Sequence, residues 1–111
     1  MCLFCEIAAG RIPSKKAYED ESVVAFHDIA PQAPVHILVI PRQHIESAQA
    51  LTEADDALLG HLFAVARKLA DETGVAKTGY RLITNVGADA GQSVPHLHLH
   101  LIGGKTLSWN N

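Results

Sequence analysis

Apolar positions along the chain change their spacing several times, and each change marks an element. Leu3, Phe4 and Ile7 lie at helical spacing ahead of Gly10, which predicts a short N-terminal helix within Cys2 to Gly10. From Ala17 to Ile29 the pattern becomes strand-like. Tyr18 is followed by Val23-Val24-Ala25-Phe26, and the polar cluster Glu19-Asp20-Glu21-Ser22 between them predicts a hairpin. Ala30-Pro31-Gln32-Ala33-Pro34 then turns the chain. Val35 to Ile40 is apolar at every position except His36, as expected of a central strand covered on both faces, and Pro41 ends it because proline brings no N–H to a ladder.

Thr52 with Asp55 three residues later has the form of a capping box, and Leu58, Leu62, Ala66 and Leu69 repeat at helical spacing until Gly74. These positions predict one long amphipathic helix from Glu53 to Thr73. Two further strands are expected at Tyr80 to Val86 and Pro95 to Ile102, separated by the loop Gly87-Ala88-Asp89-Ala90-Gly91-Gln92-Ser93. Hairpins without a regular strand–helix alternation favour an α+β fold: an antiparallel sheet of about five strands, one long helix and a short N-terminal helix. With no repeat or linker-like stretch, residues 1–111 are read as a single domain.

Composition narrows the function. Of 111 residues 48% are apolar, enough for one packed core, and 9 Lys and Arg against 12 Asp and Glu leave a formal charge of −3 with scattered basic residues. That excludes a broad nucleic-acid surface. Runs such as Ile37 to Ile40 and Leu62 to Ala66 are too short to span a bilayer, and no signal-peptide pattern opens the chain, so a cytoplasmic protein is expected. In a reducing compartment Cys2 and Cys5 are read as metal ligands or small packed residues, not as a disulfide.

Seven histidines are many for this length. His96, His98 and His100 alternate with Leu97, Leu99 and Leu101, so on a strand the three imidazoles share one face while the leucines pack on the other. Plain packing explains this poorly, since each ring needs hydrogen-bond partners. Two chemical readings remain. Three His ligands and a water make an open zinc site. Alternatively, one neutral imidazole attacks phosphorus while its neighbours donate hydrogen bonds to the phosphoryl oxygens. The preceding loop favours the second, because Gly87, Gly91, Gln92 and Ser93 offer donors where phosphate oxygens would sit. His27 reads as a satisfied strand residue and His61 as solvated.

The string Gly91-Gln92-Ser93-Val94-Pro95-His96-Leu97-His98-Leu99-His100-Leu101-Ile102-Gly103-Gly104 resembles the signature of the histidine triad (HIT) superfamily. Phe26 to Pro41, Tyr80 to Asn85 and Trp109 are similar to its nucleotide-binding Hint branch, so the resemblance covers nearly the whole chain. It implies a homodimeric purine nucleoside phosphoramidase, which also acts on aminoacyl-adenylate-like compounds and needs no metal for its chemistry. By the same resemblance His98 is the nucleophile that forms a nucleotidyl-histidine. His100 and His36 face the α-phosphate, Asn85 fixes it, and Gln92 and Ser93 lie near the phosphate and leaving group. Asp28 would bind the ribose hydroxyls, with Phe4, Ile7, Phe26, Ile29 and Leu38 lining a purine slot. For Phe26 and Leu38, plain core stays an equal alternative.

Cys2, Cys5, His44 and His96 match a zinc pattern of some HIT relatives, a closed Cys2His2 set suited to structure. Pro95 departs from the aromatic residue that relatives often carry there and is expected to change the strand entry beside Ser93, and the chain stops at Asn111, shortly after Trp109, which is expected to alter leaving-group selectivity. Two rival functions stay open: a zinc-dependent hydrolase with the triad as ligands, and a non-catalytic nucleotide-sensing or scaffolding dimer.

Overall fold

The structure is a computed structural model that describes residues 2–109; Asn110 and Asn111, part of the expected C-terminal tail, lie outside the described residues. Its elements run α1 (Leu3–Ala8), β1 (Lys16–Glu19), β2 (Val23–His27), β3 (Val35–Pro41), α2 (Asp56–Thr73), α3 (Val75–Thr78), β4 (Tyr80–Ile83) and β5 (Leu99–Gly103). The strands form one sheet in the order β1-β2-β3-β5-β4, every neighbouring pair antiparallel. The expected α+β architecture is present, with β5 inserted between β3 and β4.

Alternation along each strand sorts side chains onto two faces. Val23, Ala25, Ile37, Val39, Leu99 and Leu101 pack under α2 against Leu62, Val65, Ala66 and Leu69. Val24, Phe26, Leu38 and Ile40 pack on the other face against Phe4, Ile7 and Ala8 of α1. The register Leu38↔His100 and His36↔Ile102 puts both histidines on that second face. The catalytic candidates therefore share the side covered by the short N-terminal helix.

The hairpin turn is tied by Asp20, whose Oδ1 accepts from the Ser22 and Val23 N–H groups at 2.8 Å each. The capping box at Thr52 and Asp55 exists, but it opens a 3-10 turn over Glu53–Asp55 before the α-helix begins at Asp56. Gly74, at φ 86°, stops α2 in the left-handed conformation. The four residues of α3 were not anticipated, being too short to show a period.

Both C-terminal strands are shorter than the pattern predicts. β4 ends at Ile83 because the Thr84 hydroxyl donates to the His98 carbonyl at 2.8 Å, a side-chain bond in place of a ladder bond. β5 begins only at Leu99, since the N–H groups of His96 and Leu97 go to Val94 O (2.8 Å) and Ile45 O (2.6 Å), off the sheet. His96 and His98 thus precede the strand. Their alternation with the leucines nevertheless persists, for Leu97 is buried in the same cluster as Leu99 and Leu101. Among the described residues no helix is long and apolar enough to cross a membrane.

Candidate active site

An apolar cavity of about 400 Å³ opens between α1 and the site face of the sheet, a size suited to a small ligand. Phe4, Ile7, Phe26, Ile29 and Leu38 all line it, with Asp28 and Ser93 among its few polar groups. Phe26 and Leu38 are therefore both core and wall. Ile29 is fully solvent-exposed at 100%, an apolar side chain free to close over whatever enters. His27, read from sequence as a satisfied strand residue, is also in the wall, as are Leu3, Ile12 and Ser14. Leu3 belongs to the helical spacing that marks α1, but no periodic signal marks Ile12 or Ser14, which come from the loop after it.

The triad rings do not converge on one point. His98 is buried (5% exposed), its ring set edge-on against Phe4 at 5.1 Å and beside His100 at 5.0 Å between centroids. Its Nδ1 lies 2.7 Å from the His96 carbonyl oxygen, which only accepts, so Nδ1 carries the proton and Nε2 keeps its lone pair.

A second chain of bonds fixes His100. The backbone N–H of Gln32 donates to His36 Nδ1 at 3.0 Å, which places the His36 proton on Nε2. That proton faces His100 Nδ1 at 2.9 Å, leaving His100 with an Nε2–H to donate onward. Asp28 Oδ2 stands 3.5 Å from the same His36 nitrogen. Burial pushes His36 below its ordinary range, with Asp28 acting against it. Burial, then the neighbouring His98 and His36, push His100 down to about 4, again opposed by Asp28. Both rings are neutral near pH 7.

His36 and His100 also line a smaller cavity of about 150 Å³ with Asn85 and Gln32, so the expected neighbourhood of Asn85 is present. The Gln92 amide is engaged within the loop: its Oε1 accepts from Gly87 N–H (2.9 Å) and its Nε2 donates to Glu46 O (2.8 Å) and Val94 O (3.1 Å), so it braces the segment that leads into the triad. Gly87 (φ 80°) and Gly91 (φ 78°) supply the left-handed turns that fold this loop back. His61 differs from expectation: its Nε2 lies 2.6 Å from Asp20 Oδ2, pinning α2 to the hairpin turn.

The ring of His96 turns away from the slot toward Cys2, Cys5 and His44. One ligand atom from each of the four residues lies within 4.8 Å of the others, with His96 Nδ1 at 3.3 Å from Cys2 Sγ and His44 Nδ1 at 3.4 Å from Cys5 Sγ. His96 Nε2–H donates to the Pro41 carbonyl at 2.8 Å, which leaves Nδ1 as the ligating nitrogen. Burial and the adjacent Cys2 raise the Cys5 thiol, which favours its protonated form in the absence of a cation. Both cysteines are half-buried, and Cys2 packs against the α1 core cluster. This donor set fits a tetrahedral zinc, which would supply structural cross-linking.

A hydrolytic zinc held by the three triad residues fits less well, because each ring has a different partner. Asp28, His36 and His100 do bring donor atoms within 4.8 Å of one another, but the two imidazoles already share a proton.

Comparison with known proteins agrees with this geometry. The HIT domain pattern matches residues 9–107. An uncharacterized HIT-like protein of Synechococcus elongatus is 47% identical over 107 residues, 96% of this chain and 93% of that protein. A HIT family hydrolase from Legionella pneumophila Philadelphia 1 superposes with a TM-score of 0.97 at 46% identity, covering 98% of this chain and 97% of that one. A histidine triad nucleotide-binding protein from Candida albicans superposes with a TM-score of 0.85 at 31% identity, covering 98% of this chain and 82% of that one. Sequence and fold thus agree along the whole described length, and this chain belongs to the HIT domain family.

Proposed function

We propose that the chain hydrolyses the P–N bond of purine nucleoside 5′-phosphoramidates, and of aminoacyl-adenylate-like compounds, through a covalent nucleotidyl-His98. The observation that carries this reading is the pair of fixed tautomers: a free lone pair at His98 Nε2 beside an N–H donor at His100 Nε2. In the first step His98 Nε2 attacks the α-phosphorus in line, the P–N bond breaks, and the amine leaves with a proton relayed from solvent by the Ser93 hydroxyl. His100 donates to the phosphoryl oxygen as charge builds on it. Water then attacks phosphorus and gives its proton back to solvent by the same route, the P–Nε2 bond breaks, and the mononucleotide departs with His98 restored.

The apolar slot supports a purine as the base. Asp28, whose Oδ1 already accepts from Ala30 N–H at 2.8 Å, is the acceptor for the ribose hydroxyls. Ser93, on the same wall, lies toward the leaving group. A zinc at Cys2, Cys5, His44 and His96 serves structure and takes no part in bond breaking. Two further features favour a homodimer: β4 pairs only with β5 among the described residues, and Phe63 on the outer face of α2 is exposed. A reduced thiol pair fits the cytoplasm.

The covalent step is tested by acid quenching during turnover of adenosine 5′-phosphoramidate, followed by peptide mass analysis. An adenylyl group on the peptide containing His98 is expected. Steady turnover with no adenylylated peptide, under conditions where phosphohistidine survives, would overturn the nucleophile.

A further inference from the structure

We infer that the Cys2, Cys5, His44 and His96 cluster is an effector site for the nucleotide slot, so that a thiophilic divalent cation and a nucleotide each tighten the binding of the other. This rests on the nucleotide reading given above.

The four ligands come from three separate segments: one walls the slot, one anchors His98, and one braces the loop that leads into the triad. Cys2 caps α1 through its sulfur, which accepts from Cys5 N–H at 3.3 Å, and Cys5 lies within the helix. Between them Phe4 walls the slot and touches both Phe26, at 5.5 Å between centroids, and His98. Whatever fixes the two sulfurs fixes Phe4.

His96 acts on the nucleophile. Its ring faces the thiols while its own carbonyl holds the His98 Nδ1 proton, so the anchor of the nucleophile is one residue's backbone away from the ligating nitrogen. His44 acts on the loop before the triad. The next two residues give their carbonyls to that stretch, Ile45 to Leu97 N–H at 2.6 Å and Glu46 to the Gln92 amide at 2.8 Å.

Beyond the ring contacts of His96 with Phe4 and His44, the donor atoms of the cluster meet through sulfur–nitrogen contacts of 3.3 to 3.5 Å, and the His44 side of the cluster is exposed. The ordering cost is then borne by the first ligand to bind and spared for the second. Linkage makes the effect reciprocal: the factor by which the cation improves nucleotide affinity equals the factor by which nucleotide improves cation affinity.

The test measures the AMP Kd by calorimetry for the chain depleted of metal and for the chain loaded with Zn2+. Zn2+ affinity is then measured against a chromophoric chelator with and without saturating AMP. We expect AMP to bind about tenfold tighter to the loaded chain, and Zn2+ to gain the same factor from AMP, within the usual range of coupling between sites. The second arm starts from loaded, folded protein, so it stands even where metal depletion costs structure. His44→Ala is expected to move the Zn2+ concentration needed for the tightening upward by about tenfold or more, as loss of one ligand weakens the site. An AMP Kd unchanged by Zn2+, a Zn2+ affinity unchanged by AMP, or no Zn2+ binding would each overturn the inference while leaving the phosphoramidase reading in place. AMP binding in neither form would remove the nucleotide reading and the inference with it.

Discussion

The imidazole of His98 donates its Nδ1 proton to the carbonyl of His96 across 2.7 Å, so the backbone of one triad residue sets the tautomer of the next. The bond ties the first triad position, whose ring faces Cys2, Cys5 and His44, to the second, whose Nε2 keeps its lone pair. Nitrogen-15 NMR of the neutral protein should find His98 protonated at Nδ1, and His36 and His100 protonated at Nε2. The opposite tautomer at His98 would leave no lone pair toward the slot and would contradict the arrangement.

His36 works through His100. It receives the Gln32 N–H and passes its own proton toward His100 Nδ1, which keeps the His100 donor pointed outward. His36→Ala should lower kcat by about 10²-fold, the size of a misplaced proton donor, with a smaller change in KM. His36→Gln, whose amide N–H replaces the imidazole Nε2–H, should recover part of the loss. Equal damage from both variants would show that ring packing, not the proton, is what His36 supplies.

The depressed histidines predict a stability that falls on mild acidification. An unfolded chain binds a proton on His100 below about pH 6.5, whereas in the folded chain that ring stays neutral until about 4. Between those values the unfolded state binds more protons, so stability rises with pH across the window and is complete above it. His36 and His96, also pushed down by burial, add in the same direction. Melting temperature should therefore drop from pH 7 to pH 5, and His100→Gln should flatten part of that slope. A slope identical to wild type would contradict the burial argument for His100.

Asp20 extends the loss in the same direction to lower pH. Partial burial raises its carboxyl, but hydrogen bonds from Tyr18 OH, His61 and the Ser22 and Val23 N–H groups outweigh this and hold it well below the usual carboxylate range. Its contribution is present above the ordinary carboxylate pKa and is lost as pH falls through the lowered one. Asp20→Asn should cost about 1–3 kcal/mol at pH 7, the loss of charge-assisted bonds, read as a lower denaturant midpoint with unchanged AMP affinity. A variant as stable as wild type would show that the hairpin turn does not depend on the charge.

Much of this was legible in sequence because periodicity is local. Leu58, Leu62, Ala66 and Leu69 mark α2, and the alternation around His98 marks which side chains share a face, even where Leu97 and His98 lie outside the ladder. Contacts set by the third dimension were not legible. The Gln92 amide reaches Glu46, 46 residues away, a bond that its neighbours in the chain do not show. The pairing of His61 with Asp20 and the capture of the Leu97 N–H by Ile45 are likewise tertiary choices among several donors and acceptors. The metal set was readable only through family resemblance; the orientation of His96 by Pro41 came from the fold.

The central claim is most directly tested by hydrolysis of adenosine 5′-phosphoramidate by wild type and His98→Ala, each with and without chelator at saturating substrate. The account predicts that wild-type turnover persists in chelator while His98→Ala loses a factor on the order of 10⁴ or more, as removal of a nucleophile does. Turnover abolished by chelator and restored by Zn2+, or retained by His98→Ala, would contradict it.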